Sequence, residues 1–292
     1  MDIKPLVSVL MTAYNRDNYL AAAIESVLAS SYTNFELIIV DDGSVDNTVS
    51  IAREYKEKDS RIQLYVNELN LGDYPNRNKA ASYAKGRYIK YLDSDDYLYP
   101  FGLEAMVANM EAFPEAGWGL CSLPPPGQQS YPFMLTPAAA YEYHFFGPGL
   151  FHKGPSTSIF RKEAFQGVNG FDQQRMVSDV DMWHKLALHY PVVLMGNGLV
   201  WTRSHEKQEL AEVDRYIKQY EIIKWKYLKD PACPLTVAQL RSIRNKRLKR
   251  YMGFILSGIK NLNFRQVSDY AKCFYFVSKV NLKKALNKDI AR

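Results

Sequence analysis

The sequence predicts an α/β fold, a Rossmann-like, mostly parallel sheet with a helical appendage at the C-terminal end. Three observations predict it. Short, β-branched apolar runs alternate with amphipathic stretches, the pattern of βαβ units. Two of those runs end in acidic clusters, at the carboxyl edge where open α/β sheets bind ligands. Beyond residue 206, helical spacing fills the rest of the chain. The expected division is an α/β domain over 1–206 and a helical, basic region over 207–292.

The elements follow in order. "LVSVLMT" (6–12) reads as a buried strand. In 17–31, Leu20, Ile24, Val27 and Leu28 make one helical face. "FELIIVDDGS" is a second strand ending in acids and glycine. Asp46 or Asn47 caps a helix through Tyr55. "IQLYVN" is a third strand, "RNKAASYAKG" a helix stopped by Gly86, and "RYIKYLD" a fourth strand. Residues 117–158 are rich in Gly, Pro and aromatics and read as loop-dominated, where substrate contacts often reside. "SIFRKEAFQGVNGFD" follows as strand, helix and glycine turn, "SDVDMWHKLALHY" as helix, and "VVLMGNGLVWTR" as one strand or two. Two later stripes keep 3/4 spacing: Leu210, Val213, Ile217, Tyr220, Ile223, Tyr227, and Leu248, Met252, Ile255, Ile259, Leu262.

Composition narrows the class. The 292 residues and 47% apolar content support one large core. Cys121, Cys233 and Cys273 are odd in number and far apart, so they suggest neither zinc spacing nor a disulfide framework. A reducing cytosol is the expected compartment. "PLVSVLMTAY" lacks the basic flank of a signal peptide, and no apolar run reaches the roughly 18 residues of a membrane span. The net charge of +6 is unevenly spread. Residues 240–292 hold fourteen Lys/Arg against two Asp/Glu, a balance of +12, which leaves −6 for the remainder.

The acids carry the chemistry. In "YIKYLDSDDYLYP", Asp93, Asp95 and Asp96 crowd the end of a strand. Like charges this close raise each other's pKa unless something positive sits among them. In extended chain, Asp93 and Asp95 point to one side, about 6.5–7 Å apart, and so face one ligand. Hard divalent cations such as Mn²⁺ or Mg²⁺ take such oxygen ligands together with substrate phosphates. Helix capping before "PFGLEAMVANM" is the competing reading, and it suits Asp96 better than Asp95. At "DDGS", an acid accepting from a ribose or base competes with a plain Asx-turn.

Taken together, "VSVLMTAYNR", "FELIIVDDGSVDNT", "RNKAASYAKGRYIKYLDSDDYLYP", "GPSTSIFRKEAFQGVNGFD" and "SDVDMWHKLA" resemble the inverting family 2 glycosyltransferases of the GT-A fold, over roughly residues 5–206. The resemblance implies a nucleotide-sugar-binding domain. It makes Tyr14 the aromatic that stacks on a uracil, with Thr12 beside it. Asp42, with Asp41, would bind base and ribose. Arg77 and Asn78 would lie near the nucleotide. Asp93 and Asp95 match the acid pair of the DxD motif, Asp95 as direct metal ligand and Asp93 on ribose or metal. Asp179 matches the catalytic base, and His205 a histidine placed against metal or diphosphate.

Departures are visible. Thr12-Ala13 replaces the usual Pro-Thr, and Ser178-Asp179 replaces an acid pair, which keeps Asp181 in play as the base. His184 reads as a packing or surface histidine, and His144, His152 and His189 show no zinc spacing. Trp183 and Trp201 read as core, whereas Trp118 stands between core and acceptor contact. The expected activity is metal-dependent sugar transfer from a nucleotide-sugar donor, a UDP-sugar by resemblance, to a glycan or lipid-linked acceptor. Two other readings stay open: a nucleotidyltransferase, although "TAYNRDNY" lacks a glycine-rich phosphate loop, and an inactive nucleotide-sugar-binding module. The basic region packs on the body or meets an anionic membrane surface at the cytoplasmic face. The acidic body and the transferase motifs speak against nucleic acid.

Overall fold

The computed structural model describes residues 4–121, 130–204 and 216–282. Its first half runs β1 (Val7–Ala13), α1 (Leu20–Leu28), β2 (Phe35–Asp41), α2 (Thr48–Lys58), β3 (Ile62–Val66), α3 (Asp73–Tyr83) and β4 (Tyr88–Tyr91). β1 pairs in parallel with both β2 and β4, and β2 with β3. The chain therefore leaves β1 in two directions and opens a crevice at the carboxyl ends of β1 and β4.

The next stretch supplies β5 (Tyr97–Leu98), α4 (Gly102–Glu111), β6 (Trp118–Leu120), β7 (Phe133–Leu135), α5 (Pro137–Phe146), a 3-10 turn at Pro155–Thr157 and β8 (Ser158–Arg161). The described residues of 117–158 are thus more regular than their composition predicts. Three-residue strands are too short to show a period, and they find partners only in the sheet. After α6 (Lys162–Gly167) and α7 (Ser178–His189) come β9 (Val192–Leu194) and β10 (Val200–Trp201). The full sheet has the order β3-β2-β1-β4-β8-β6-β9-β7, antiparallel at β4–β8, β8–β6 and β9–β7. β10 and β5 form a separate antiparallel ribbon.

Alternation along the strands separates two cores. Val7, Val9, Met11, Leu37 and Ile39 face α1 and α4 through Leu20, Ile24, Leu103 and Met106. Leu10, Ile38, Val40, Ile89 and Tyr91 face the other way, onto α3 and the later helices. Trp118 belongs to that second core. It is fully buried and stacks on Trp183 at 5.4 Å, so it is no acceptor platform. Trp201, read as core, instead lies half-exposed on the β10 ribbon.

Two local readings change. α3 ends at Tyr83, and Gly86 does not cap it. A Cβ on Gly86 would stand 2.5 Å from the Ser8 nitrogen and 2.7 Å from the Leu6 oxygen, so the glycine permits close approach to β1. Asp46 closes the start of α2 by accepting from the Thr48 N–H at 3.0 Å, while Asn47 makes no side-chain cap.

The C-terminal helices are α8 (Ile217–Leu228), α9 (Val237–Lys260) and α10 (Phe264–Ser278). α9 opens with a Thr236/Gln239 capping box. Leu240, Ile243, Tyr251, Cys273 and Val277 join the core shared with Trp183. The expected Leu248–Leu262 stripe is not the buried face. Met252, Ile259 and Leu262 are 42%, 55% and 75% exposed. α10 folds back on the other face instead, where Gly258 admits Val267 and Tyr270 packs on Phe254 at 4.5 Å. Leu210 and Val213 lie outside the described residues.

Candidate active site

The acids after β4 are gathered by a turn. The Asp96 N–H donates to the Asp93 carbonyl at 2.9 Å, so the segment is not extended as its strand context suggests. The turn converges three carboxylates: one oxygen from each of Asp93, Asp95 and Asp96 lies within 4.8 Å of the others. Their positive company is explicit. Arg77 Nη2 is 2.8 Å from Asp93 Oδ1, and Arg16 Nε is 3.4 Å from Asp95 Oδ2. The fully buried Lys90 lies close by and donates to the Tyr91 and Ser156 carbonyls. Burial lowers its pKa to about 8, against the pull of Cys121, Asp93 and Asp96. Asp96 accepts from the Arg203 N–H at 3.0 Å, and burial together with Asp93 pushes it up to about 7. Three hard oxygen donors on one turn fit a divalent cation.

Across the crevice, Thr12 and the half-exposed Tyr14 end β1. Asn15, in left-handed conformation, ties this loop to the next by accepting from the Val45 N–H. Asp42 lines the same wall. It accepts from Asn67 Nδ2 at 2.7 Å and from the Leu71 and Gly72 N–H groups at 2.9 Å each. Asp41 behaves differently. Fully buried, it is spent on the turn, accepting from the Gly43 and Ser44 N–H groups, and it does not reach the cavity. Arg77 spans Asp73 and Asp93, both at 2.8 Å. Asn78, expected beside the nucleotide, instead clamps the "GFD" turn through both its donor and its acceptor to Phe171. His205 lies outside the described residues.

α7 separates the two candidate bases. Asp179, in its first turn, opens onto the cavity shared by Asp42, Asp93 and Asp95. Burial raises its pKa to about 6, with Asp73 adding to the rise and the Val180 N–H and Arg77 opposing it. Asp181 is 1% exposed and turned inward, onto Lys185 at 2.9 Å, Lys226 at 3.0 Å and the Tyr227 hydroxyl at 2.7 Å. Burial works to raise its pKa, yet these hydrogen bonds hold it below the usual carboxylate value. Asp181 therefore fastens α7 to α8. We expect Asp181→Asn to cost about 2–3 kcal/mol, since one lysine partner is half-exposed and the other mostly buried. A thermal melt of the variant that matched wild type would refute this role.

The cavity has a volume of about 1510 Å³ and is lined by residues from both sheet halves and from α8 and α9. Several participants were not read from the sequence. Lys90 carried the one available signal, a charge inside a wholly buried strand. Arg16 and Asn67 carried none, because polar residues in loops are unremarkable until their partners are known.

A doubly wound sheet with an acidic turn at its crevice is the GT-A glycosyltransferase architecture. It superposes on S. aureus TarS 1-349 in complex with UDP-GlcNAc with a TM-score of 0.69, at 19% identity, covering 93% of this chain and 81% of that one. A mannosyltransferase from Pyrobaculum calidifontis, in complex with GDP-Man and Mn²⁺, gives 0.66 at 16% identity, covering 99% and 80%. The chain belongs to glycosyltransferase family 2, whose model matches residues 8–168. Among curated relatives, it is 34% identical to the putative glycosyltransferase EpsE of Bacillus subtilis, over 63% of this chain and 67% of that protein. It is 44% identical to the Escherichia coli UDP-Glc:alpha-D-GlcNAc-diphosphoundecaprenol beta-1,3-glucosyltransferase WfgD, over 36% of this chain and 41% of that one. The chain thus matches less than half the length of WfgD.

Proposed function

We propose that this glycosyltransferase moves a sugar from a UDP-sugar to a hydroxyl of a glycan or lipid-linked acceptor, with inversion at the anomeric carbon. The observation that carries the reading is the single cavity that joins Asp42, the Asp93–Asp96 turn and Asp179. Tyr14 stacks on the base, and Asp42, with lone pairs left after three hydrogen bonds, accepts from ribose or uracil. Asp93 and Asp95 would hold Mn²⁺ or Mg²⁺, with Asp96 behind them. Such an ion, when bound, acts as a Lewis acid on the diphosphate. Asp179 takes the proton from the acceptor hydroxyl. The acceptor oxygen bonds to the anomeric carbon as the bond to the diphosphate breaks, and the electron pair leaves with UDP. A single displacement from the opposite face inverts the centre. The test is a panel of UDP-sugars with Mn²⁺ and a sugar acceptor, scored by UDP release and by the anomer of the product. Pyrophosphate release, or no turnover with any donor, would defeat the reading.

The acceptor class draws on WfgD, a glucosyltransferase that acts on alpha-D-GlcNAc-diphosphoundecaprenol. The surface of the C-terminal helices accords with a lipid-borne acceptor. Leu256, Ile259, Leu262 and Phe264 are exposed around the α9–α10 turn, beside exposed Lys260 and Arg265. No helix among the described residues is long and apolar enough to cross a membrane. Apolar side chains ringed by cations suit peripheral contact with an anionic surface, each cation adding about 1 kcal/mol. We expect co-sedimentation with anionic vesicles at low salt, release at high salt, and loss in a Leu256→Glu/Ile259→Glu variant. Equal partitioning of variant and wild type would remove the membrane from the account.

A further inference from the structure

The acidic turn and Asp179 account for only part of the cavity wall. Lys224 from α8 and Lys246, Arg247 and Arg250 from α9 line the same space. The carboxylate on that stretch of wall is Glu221, which is buried and already engaged by Lys224 at 2.6 Å and by Arg247. Among the described residues, Lys246 and Arg250 meet aromatic faces instead of acids: Phe146 at 5.1 Å and Phe254 at 5.4 Å. Four cations against one carboxylate leave this wall strongly positive.

α7 connects the base to this wall. His184 lies five residues after Asp179 on one helix, an axial rise of roughly 7.5 Å. Its ring packs 4.7 Å from Phe151 and 5.8 Å from His144. Arg247 is near enough to His144 to lower that group's pKa, after burial and the other histidines. The buried Nε of Arg247 and both ring nitrogens of His184 have no hydrogen-bond partner. Buried polar atoms in native proteins are nearly always paired, so a polar partner from the cavity suits Arg247, whereas the fully buried His184 is enclosed by the rings of Tyr141, Phe145, Phe151 and Tyr227.

We infer that this wall, centred on Lys246, Arg247 and Arg250, binds a phosphate or diphosphate group carried by the acceptor, in the cavity onto which the base at Asp179 opens. The inference rests on the sugar-transfer reading, whose acceptor it makes anionic. Guanidinium and ammonium donors clustered on one wall of the cavity, with Lys246 and Arg250 exposed at its mouth, match phosphate oxygens. The adjoining Phe254 and Tyr270 offer apolar surface for whatever follows the phosphate.

The test is a binding measurement, so it does not depend on finding the right sugar. Decyl diphosphate is titrated into the full chain by calorimetry, in EDTA and saturating UDP, which removes metal-mediated capture and fills the nucleotide end. Decyl maltoside is the neutral control. Decyl diphosphate is expected to bind at least about tenfold more tightly than the control and to weaken with salt. A Lys246→Ala/Arg250→Ala variant should lose about tenfold, and Lys246→Arg/Arg250→Lys should retain binding. A glycerol phosphate oligomer then names the source of the group. Competition by the oligomer points to a phosphodiester polymer, and its failure to compete points to a lipid diphosphate; either outcome keeps the subsite. Equal affinity for the neutral control, or undiminished binding by the double alanine variant, overturns the inference. Sugar transfer to neutral acceptors alongside that result would leave the proposed function standing without it.

Discussion

Asp179→Asn is expected to lower sugar transfer about 10²- to 10⁴-fold, the range a positioned general base supplies. UDP and Mn²⁺ affinity should stay near wild type, since the base acts on the acceptor. The carboxylate must be ionised to work, and its pKa is raised to about 6, chiefly by burial. Wild-type kcat/KM should therefore climb with pH up to about 6 and flatten above it, and this dependence should vanish in the variant. Stability moves the opposite way. A carboxyl whose folded pKa lies above its unfolded value of 3.8 stabilises the fold in its protonated form, and that contribution is lost as pH rises through about 6. The charge costs at most roughly 3 kcal/mol at pH 8, and solvent in the cavity screens part of it. We expect the variant to be more stable than wild type by about 1 kcal/mol at pH 8, with the gap closing near pH 4. Parallel pH–rate profiles and melts check both claims. A donor affinity that fell as far as the rate would make Asp179 structural, and a folded but inactive Asp181→Asn beside an active Asp179→Asn would transfer the role to Asp181.

Asp95→Asn is expected to reduce transfer on the order of 10²- to 10³-fold, the rate equivalent of several kcal/mol of lost charge stabilisation. It should also abolish the tightening of UDP binding by Mn²⁺. The fold should survive, because the partner left behind, Arg16, is about a third exposed and can turn to water. Asp93→Asn would be less clean. Its partner Arg77 is buried and would keep only Asp73. Calorimetric titration of UDP with and without Mn²⁺ measures the effect directly. Unchanged turnover in Asp95→Asn would remove the metal from this turn.

The readable parts of the site were those that depend on neighbours in sequence. Asp93, Asp95 and Asp96 stand within four positions, so a single turn gathers them whatever the rest of the chain does. Tyr14 and Asp42 follow directly on buried strands, and parallel pairing of β1 and β2 puts both at the same sheet edge. The unreadable parts depend on distant partners. Asn78 and Arg77 are adjacent on α3, yet one clamps Phe171 and the other reaches Asp93. Nothing local distinguishes them.

By itself, the sequence determined the alternation of strand and helix, the acidic edge of the sheet and membership of the glycosyltransferases, because each is a matter of period, spacing or ordered motif. Only the tertiary structure decided which acids face the cavity. Asp181 turned inward because Lys226 and Tyr227 arrive beside it from 45 and 46 residues downstream. Asp41 closed its own turn, whereas Asp42 was left to a loop that returns 25 to 30 residues later. The tertiary structure also decided which face of α9 is buried, since a helix with apolar residues on more than one side buries whichever side its neighbours cover. A side chain's destination is set by the element that packs against it, and that element is chosen by the whole fold.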